Sequence, residues 1–129
     1  AAMEAAIASV RDQCSERAAV AEAVRTIRAV RGLAVLAHPL EGTGSLPILP
    51  ELVAAGLGGM ECLYTGYSAG QVADLVTIAR KYALVVTGGS DFHGQSIKGI
   101  CLGTGKGSLN VPYKCLEKLK ARLKEVQKN

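Results

Sequence analysis

Short runs of apolar residues alternate with segments of helical periodicity along this 129-residue chain. The apolar runs occupy residues 33–37, 59–63 and 83–86. Runs of this length and continuity are typical of strands that are covered on both faces. Strands that alternate with helices are joined by right-handed crossovers and lie parallel in one sheet. The alternation therefore predicts an α/β fold with helices layered on a parallel sheet.

Helices are predicted before, between and after the strands. Residues 3–31 carry two apolar sets at helical spacing, with Ser15 as the predicted cap of the second set and Gly32 as its end. The other predicted helices span 48–55, 69–82 and 112–127, with Gly56 ending the first of these and Asn110 capping the last. A further short strand is predicted at 100–102.

The composition limits the class of protein. With 49% hydrophobic and 20% charged residues, the chain is predicted to be one globular domain or part of one. The net charge of +4 comes largely from residues 114–128, so it does not indicate a nucleic-acid-binding surface across the domain. Four scattered cysteines without a C-x-x-C pair predict reduced thiols in a cytoplasmic protein. No apolar stretch approaches the ~20 residues of a membrane span.

The motif Thr87-Gly-Gly-Ser-Asp-Phe-His-Gly94 follows the last of the three apolar runs. Gly88 and Gly89 are expected to turn the chain sharply where the strand ends. Asp91 and His93 then stand two residues apart and would point to the same side of an extended segment. A carboxylate and an imidazole that converge in this way suit a divalent transition metal.

The other histidine of the chain, His38, also follows a predicted buried strand. Alone it would be read as a core or loop histidine. Because the carboxyl ends of parallel strands share one rim, however, His38, Asp91 and His93 are predicted to form a set of two histidines and one carboxylate. Such a set suits Zn, Mn or Fe and leaves coordination positions open for water and substrate.

Three segments together resemble the PHP (polymerase and histidinol phosphatase) superfamily: Ala37-His38-Pro39, Gly58-Gly-Met-Glu61 and Leu84 to Gly94. The chain most resembles the TrpH-like phosphoesterases of that superfamily, which act on nucleotides. The resemblance implies a distorted (β/α)7 TIM-like barrel with a cluster of divalent ions, Mn, Zn, Fe or Mg, at the carboxyl ends of its strands. It also implies that His38, Asp91 and His93 are catalytic metal ligands, and that a metal-activated water hydrolyses nucleotide or oligonucleotide phosphate esters.

The chain departs from the family pattern at its beginning. The family's first motif is an H-x-H, which this sequence lacks, and too few strands precede His38 for half a barrel. Residues 1–129 therefore resemble the C-terminal portion of a PHP domain, as a fragment or with the remainder in another chain. The expected partner is the missing N-terminal half, or a second copy joined through the open sheet, and the isolated chain is expected to be inactive.

Other functions stay open at this point. Within the enzymes, the alternatives are a histidinol-phosphate phosphatase and a polymerase-type PHP exonuclease module. Outside them, the chain can be a non-catalytic PHP remnant that acts in binding or assembly. An H-x-H upstream of this sequence would indicate an enzyme.

Two further residues are candidates for supporting roles. Glu61 is interpreted as a loop anchor, or as a contact to a metal ligand, in preference to a direct ligand. Lys98 follows the metal motif and is a candidate for a substrate phosphate, although a lone lysine is more often solvated. The basic helix at the C-terminus is interpreted as having a solvated face.

Overall fold

The computed structural model describes residues 2–41 and 45–129. Within the first helix, the description of residues 9–14 covers the backbone and not the side chains. The elements in chain order are α1 (Ala2–Ala29), β1 (Val35–Leu36), α2 (Leu49–Ala55), β2 (Gly59–Tyr64), α3 (Ala69–Lys81), β3 (Val85–Gly89) and α4 (Tyr113–Lys128). Short 3₁₀ turns at Leu46–Ile48 and Gly94–Ser96 precede α2 and follow β3. No helix in the described part of the chain is long and apolar enough to cross a membrane.

The three strands form one parallel sheet in the order β1-β2-β3. Val35 pairs with Gly59, and Met60 pairs with both Leu36 and Val86. The predicted parallel α/β architecture is thereby confirmed. Within residues 2–41 and 45–129 the sheet is open, so the barrel implied by the family resemblance stays a prediction.

The core lies on the face of the sheet that α2 and α3 cover. The side chains that are almost completely buried there come from both helices and from the central strand: Leu49, Leu52, Met60, Cys62, Leu75 and Ala79. The register shift in β2 interrupts the alternation, and Leu63 lines a groove at the β3 edge of the sheet together with Val76 of α3 and Val85. The central strand therefore contributes to both the core and the groove.

The three helices that precede strands end in the same way. In α2, the Gly56 N–H donates to the Val53 carbonyl and the Leu57 N–H to the Leu52 carbonyl, which is a Schellman motif with Gly56 in the left-handed region, as predicted. The ends of α1 and α3 have the same hydrogen bonds, but Arg31 and Ala83 take the left-handed position. Each motif reverses the chain direction so that the following strand enters the sheet in parallel.

Several predicted boundaries are wrong. Residues 2–29 form one continuous helix, so Ser15 lies inside α1 and caps nothing. Pro112, and not Asn110, is the N-cap residue of α4. Residues 100–102 add no strand to the sheet, because Cys101 only forms an isolated antiparallel bridge with Gly105 across a tight turn.

The two glycines after Thr87 do not form the predicted turn. Both belong to β3, which continues to Gly89. The register between β2 and β3 shifts between Glu61 and Leu63, so Gly88 lies beside Leu63 in a β-bulge. A methyl group on Gly88 would overlap the Leu63 carbonyl oxygen and would lie 2.9 Å from Cγ2 of Val111. The glycine is required for close approach of two strands, not for chain reversal.

We predict that Gly88→Ala lowers the free energy of unfolding by about 1–3 kcal/mol, because the added methyl group overpacks the bulge. Urea denaturation followed by circular dichroism measures the change. The matched control is Gly70→Ala at an exposed position of α3, where the nearest atom to the new methyl would lie 3.9 Å away. That variant should be neutral or stabilised by up to about 1 kcal/mol. Equal effects of the two substitutions would contradict the close approach at Gly88.

Candidate functional site

The predicted site residues lie together at the carboxyl end of the sheet. His38 follows β1 and Asp91 follows β3, and the His38 Nε2 atom lies 3.4 Å from Oδ1 of Asp91. The His93 Nδ1 atom lies 3.7 Å from the same carboxylate oxygen. The structure thus brings together the two histidines and the aspartate that the sequence singled out, and their role as metal ligands stays a prediction.

His38 and Asp91 both adopt a backbone conformation that side chains other than glycine rarely take. Their φ angles are +47° and +54°. The left-handed region costs an ordinary L-residue roughly 1–2 kcal/mol. Strain of this kind persists only where surrounding contacts hold it, and it concentrates at functional sites. It also shows that the extended geometry predicted for Asp91 is wrong.

Glu61 holds the strained backbone at His38. Its Oε2 atom accepts a hydrogen bond of 3.0 Å from the His38 backbone N–H. The Glu61 side chain is only 15% exposed, so water competes weakly for this charge-assisted bond. One carboxylate on the central strand therefore fixes the loop that carries the first histidine.

A second residue that anchors a loop of the site is Ser90, directly before Asp91. The sequence patterns did not predict this role. Its side chain is buried, and its Oγ atom accepts a hydrogen bond of 3.2 Å from the Gly103 N–H. This bond ties the loop after β3 to the turn that contains Gly103. A small polar residue directly before a candidate ligand, at the end of a buried strand, was the signal available in the sequence.

The ring of His93 turns back on its own loop. Its Nδ1 atom lies 2.6 Å from the Asp91 carbonyl oxygen. Because a carbonyl only accepts, this contact assigns the proton to Nδ1 and leaves a lone pair on Nε2. Metal-ligating histidines are commonly oriented by such a bond to a backbone carbonyl.

The surroundings of His38 are aromatic on one side and acidic on the other. The Tyr64 ring packs edge-on against the imidazole at a centroid distance of 5.2 Å. The His38 Nδ1 atom is buried without a hydrogen-bond partner among the described residues, 3.3 Å from Oε1 of Glu41 and 3.8 Å from Oε2 of Glu61. Partial burial and the negative charges of Asp91, Glu41 and Glu61 raise the pKa of the Tyr64 phenol. The rim is therefore an acidic environment that attracts cations.

The donor atoms fit part of a metal site. Two ligands of one tetrahedral ion, each at about 2.0–2.1 Å from it, lie about 3.3–3.4 Å apart. The separation of His38 Nε2 and Asp91 Oδ1 equals this value. Across residues 2–41 and 45–129, however, no group of three histidine, cysteine or acidic side chains is arranged to hold an ion. The described residues thus offer two donors in place and a third, His93, nearby.

Lys98 lies in the exposed segment that follows the 3₁₀ turn after His93. In the described part of the chain, it pairs with none of the carboxylates at the rim. Its proposed contact with a substrate phosphate stays a prediction.

Two known proteins are similar to this chain. A phosphoribosyl 1,2-cyclic phosphate 1,2-diphosphodiesterase from Eggerthella lenta is 45% identical over 74 residues, which are 57% of this chain and 28% of the relative. A crystal structure from Bifidobacterium adolescentis, described as that of a "putative metal-dependent phosphoesterase", matches with a TM-score of 0.65 and 29% identity over 80% of this chain and 36% of the other. The chain thus matches only about a third of the length of each of these proteins. No family model matches the chain.

We predict that Glu61→Ala lowers the free energy of unfolding by about 2 kcal/mol, because a charge-assisted hydrogen bond to the His38 N–H is lost. Glu61→Gln keeps an acceptor oxygen and should cost less than half as much. Chemical denaturation of both variants measures the difference.

The matched control is Glu41→Ala, which removes the other carboxylate beside the His38 ring. The Glu41 side chain is 57% exposed, so its loss should change the free energy of unfolding by no more than about 0.5 kcal/mol. A loss as large as that of Glu61→Ala would show that charge near His38 matters, and not the hydrogen bond to its backbone.

Proposed function

We propose that this chain, whose membership of the PHP superfamily both comparisons support, forms the carboxyl-terminal part of a metal-dependent phosphoesterase. The observation that carries the proposal is the separation of 3.4 Å between His38 Nε2 and Asp91 Oδ1 at an acidic rim. The two relatives support the reaction class, since both are named as phosphoesterases.

The side chains of the site have two proposed roles: some bind the metal, and others hold the loops that carry the metal ligands. His38 and Asp91 would hold the metal, and His93 would join them through Nε2 while its Nδ1–H stays on the Asp91 carbonyl. Glu61 and Ser90 keep the two strained loops in place. When bound, a divalent metal supplies a Lewis acid that activates water and neutralises charge on the phosphate.

The proposed substrate class is a small phosphate ester of ribose. The relative from Eggerthella lenta is named for the hydrolysis of a phosphoribosyl cyclic phosphate. Nucleotide phosphate esters, which the sequence resemblance implies, share the same ribose and phosphate groups. A phosphoribosyl 1,2-cyclic phosphate is therefore the first compound to assay, with nucleoside phosphates next.

The remaining metal ligands are proposed to come from polypeptide outside the described residues. The described residues place only two donors at bonding separation. The relatives extend well beyond the part that this chain matches. A complete site would then form only where both parts are present.

We predict that Asp91→Asn lowers the turnover of the assembled enzyme at least ~100-fold, because the amide removes a metal-binding charge. Turnover of the cyclic phosphate with added Mn²⁺ or Zn²⁺ measures the effect, and a chelator should abolish it. The matched control is Asp74→Asn on the exposed surface of α3, which should retain full activity. Near-normal turnover of Asp91→Asn would refute the role assigned to Asp91.

We predict that this chain alone has turnover near background. Adding the part of the Eggerthella lenta relative that this chain does not match, in trans or as a fusion, should restore metal-dependent turnover. Light scattering across a dilution series should show that the chain alone self-associates through its open sheet edges, and that the added part replaces this contact. Binding of the added part without any turnover would favour a non-catalytic PHP module.

A further inference from the structure

A groove at the β3 edge of the sheet is lined by residues of α3, β3 and α4. Its volume is about 580 Å³, within the range of about 300–1,000 Å³ that small-molecule sites occupy. One end is marked by Arg122, which donates a hydrogen bond of 3.0 Å to the Ala83 carbonyl just before β3. Asp91 lies beyond the other end of β3, and the lining includes none of His38, Glu61 and His93. The groove is thus separate from the candidate metal site.

The walls of the groove are largely apolar. They are formed by aliphatic side chains of β2, α3, β3 with the residue before it, and α4: Leu63, Val76, Leu84, Val85, Val86 and Ala121. Such walls can remove the apolar body of a ligand from water.

The rim of the groove is cationic. Arg80 from α3 and Lys114 and Lys118 from α4 line it, and within the described parts of the chain none of the three has an acidic partner. The lining includes one carboxylate, Glu125, which is 3.3 Å from Nε of Arg122 and is therefore already paired. Three positive charges thus border one apolar groove without a counterion.

The spacing along α4 makes this arrangement unfavourable in the absence of a ligand. Lys114, Lys118 and Arg122 follow one another at intervals of four residues, so they repel one another along one side of the helix. An anion placed between them and Arg80 would relieve that repulsion.

We propose that this groove binds a small phosphate monoester with an apolar or aromatic body, of about the size of a nucleoside monophosphate. The phosphate lies between Arg80, Lys114 and Lys118, and the body packs on the aliphatic walls. The volume accommodates a single molecule of this size. This site differs from the proposed catalytic rim in place and in charge, and it requires no metal.

The test is a titration of the chain with N-methylanthraniloyl-AMP, followed by fluorescence, in buffer that contains EDTA so that a metal site does not contribute. We expect saturable binding of one equivalent, which AMP displaces and adenosine displaces at least 10-fold less well. The double substitution Lys114→Ala/Lys118→Ala should weaken binding at least 10-fold.

The matched control is Lys120→Ala/Lys124→Ala, which removes the same charge from exposed positions of α4 that do not line the groove. This variant should bind within 2-fold of the parent. Equal weakening by both double variants would show that the overall charge of α4, and not the groove, attracts the probe, and it would overturn the proposal. So would unchanged binding in the Lys114→Ala/Lys118→Ala variant, or no binding by the parent chain.

A second variant tests the apolar wall. Ala121→Trp places a large side chain in the groove from an exposed position of α4 and should abolish probe binding with little change in the thermal unfolding midpoint. Asp91→Asn should leave binding unchanged, because Asp91 does not line the groove. Full binding by Ala121→Trp, or its loss in Asp91→Asn, would place the probe elsewhere and contradict the proposal. These outcomes are independent of catalytic turnover.

Discussion

The candidate site depends on one hydrogen bond, from the backbone N–H of His38 to the carboxylate of Glu61. β1 has only two residues and ends just before His38, so pairing within the sheet hardly constrains the histidine. Glu61 belongs to the central strand, which is held on both sides by its neighbours. The bond therefore transfers the rigidity of β2 to a loop that would otherwise be free to leave its strained conformation.

The central strand β2 contributes residues to both the core and the candidate site, and the β-bulge between β2 and β3 lies between these residues. Cys62 is buried under α2 and α3, where removal from water raises the pKa of its thiol to about 11. The register shift between its neighbours Glu61 and Leu63 admits the close approach of Gly88. The same irregularity thus anchors a carboxylate beside His38 and brings β3 into the position from which Asp91 reaches it.

The sequence predicted the parallel sheet, the order of helices and strands, and the residues that meet at the rim, because these follow from apolar periodicity and from the shared direction of parallel strands. The local geometry of the rim did not follow. The left-handed conformations at His38 and Asp91 are stabilised by Glu61 and Ser90, contacts that no local pattern specifies. Ser15 failed as a cap because neighbouring residues are good helix formers, so α1 continues through it. The resemblance to a family added only the expected chemistry of this set, the metal-dependent hydrolysis of a phosphate ester.

Two regions of the molecule, the carboxyl rim of the sheet and α4, carry charges of opposite sign and attract opposite ions. Asp91, Glu61 and Glu41 make the carboxyl rim of the sheet attractive to cations, and a phosphate that approaches it without a metal meets net repulsion. In contrast, α4 carries six cationic and two acidic side chains, which accounts for the whole net charge of +4. Under the two proposals, an anion binds beside α4 with no metal, whereas at the rim a metal must bind first. Removal of divalent ions should for this reason separate the two sites, because it abolishes phosphate binding at the rim and leaves binding in the groove intact.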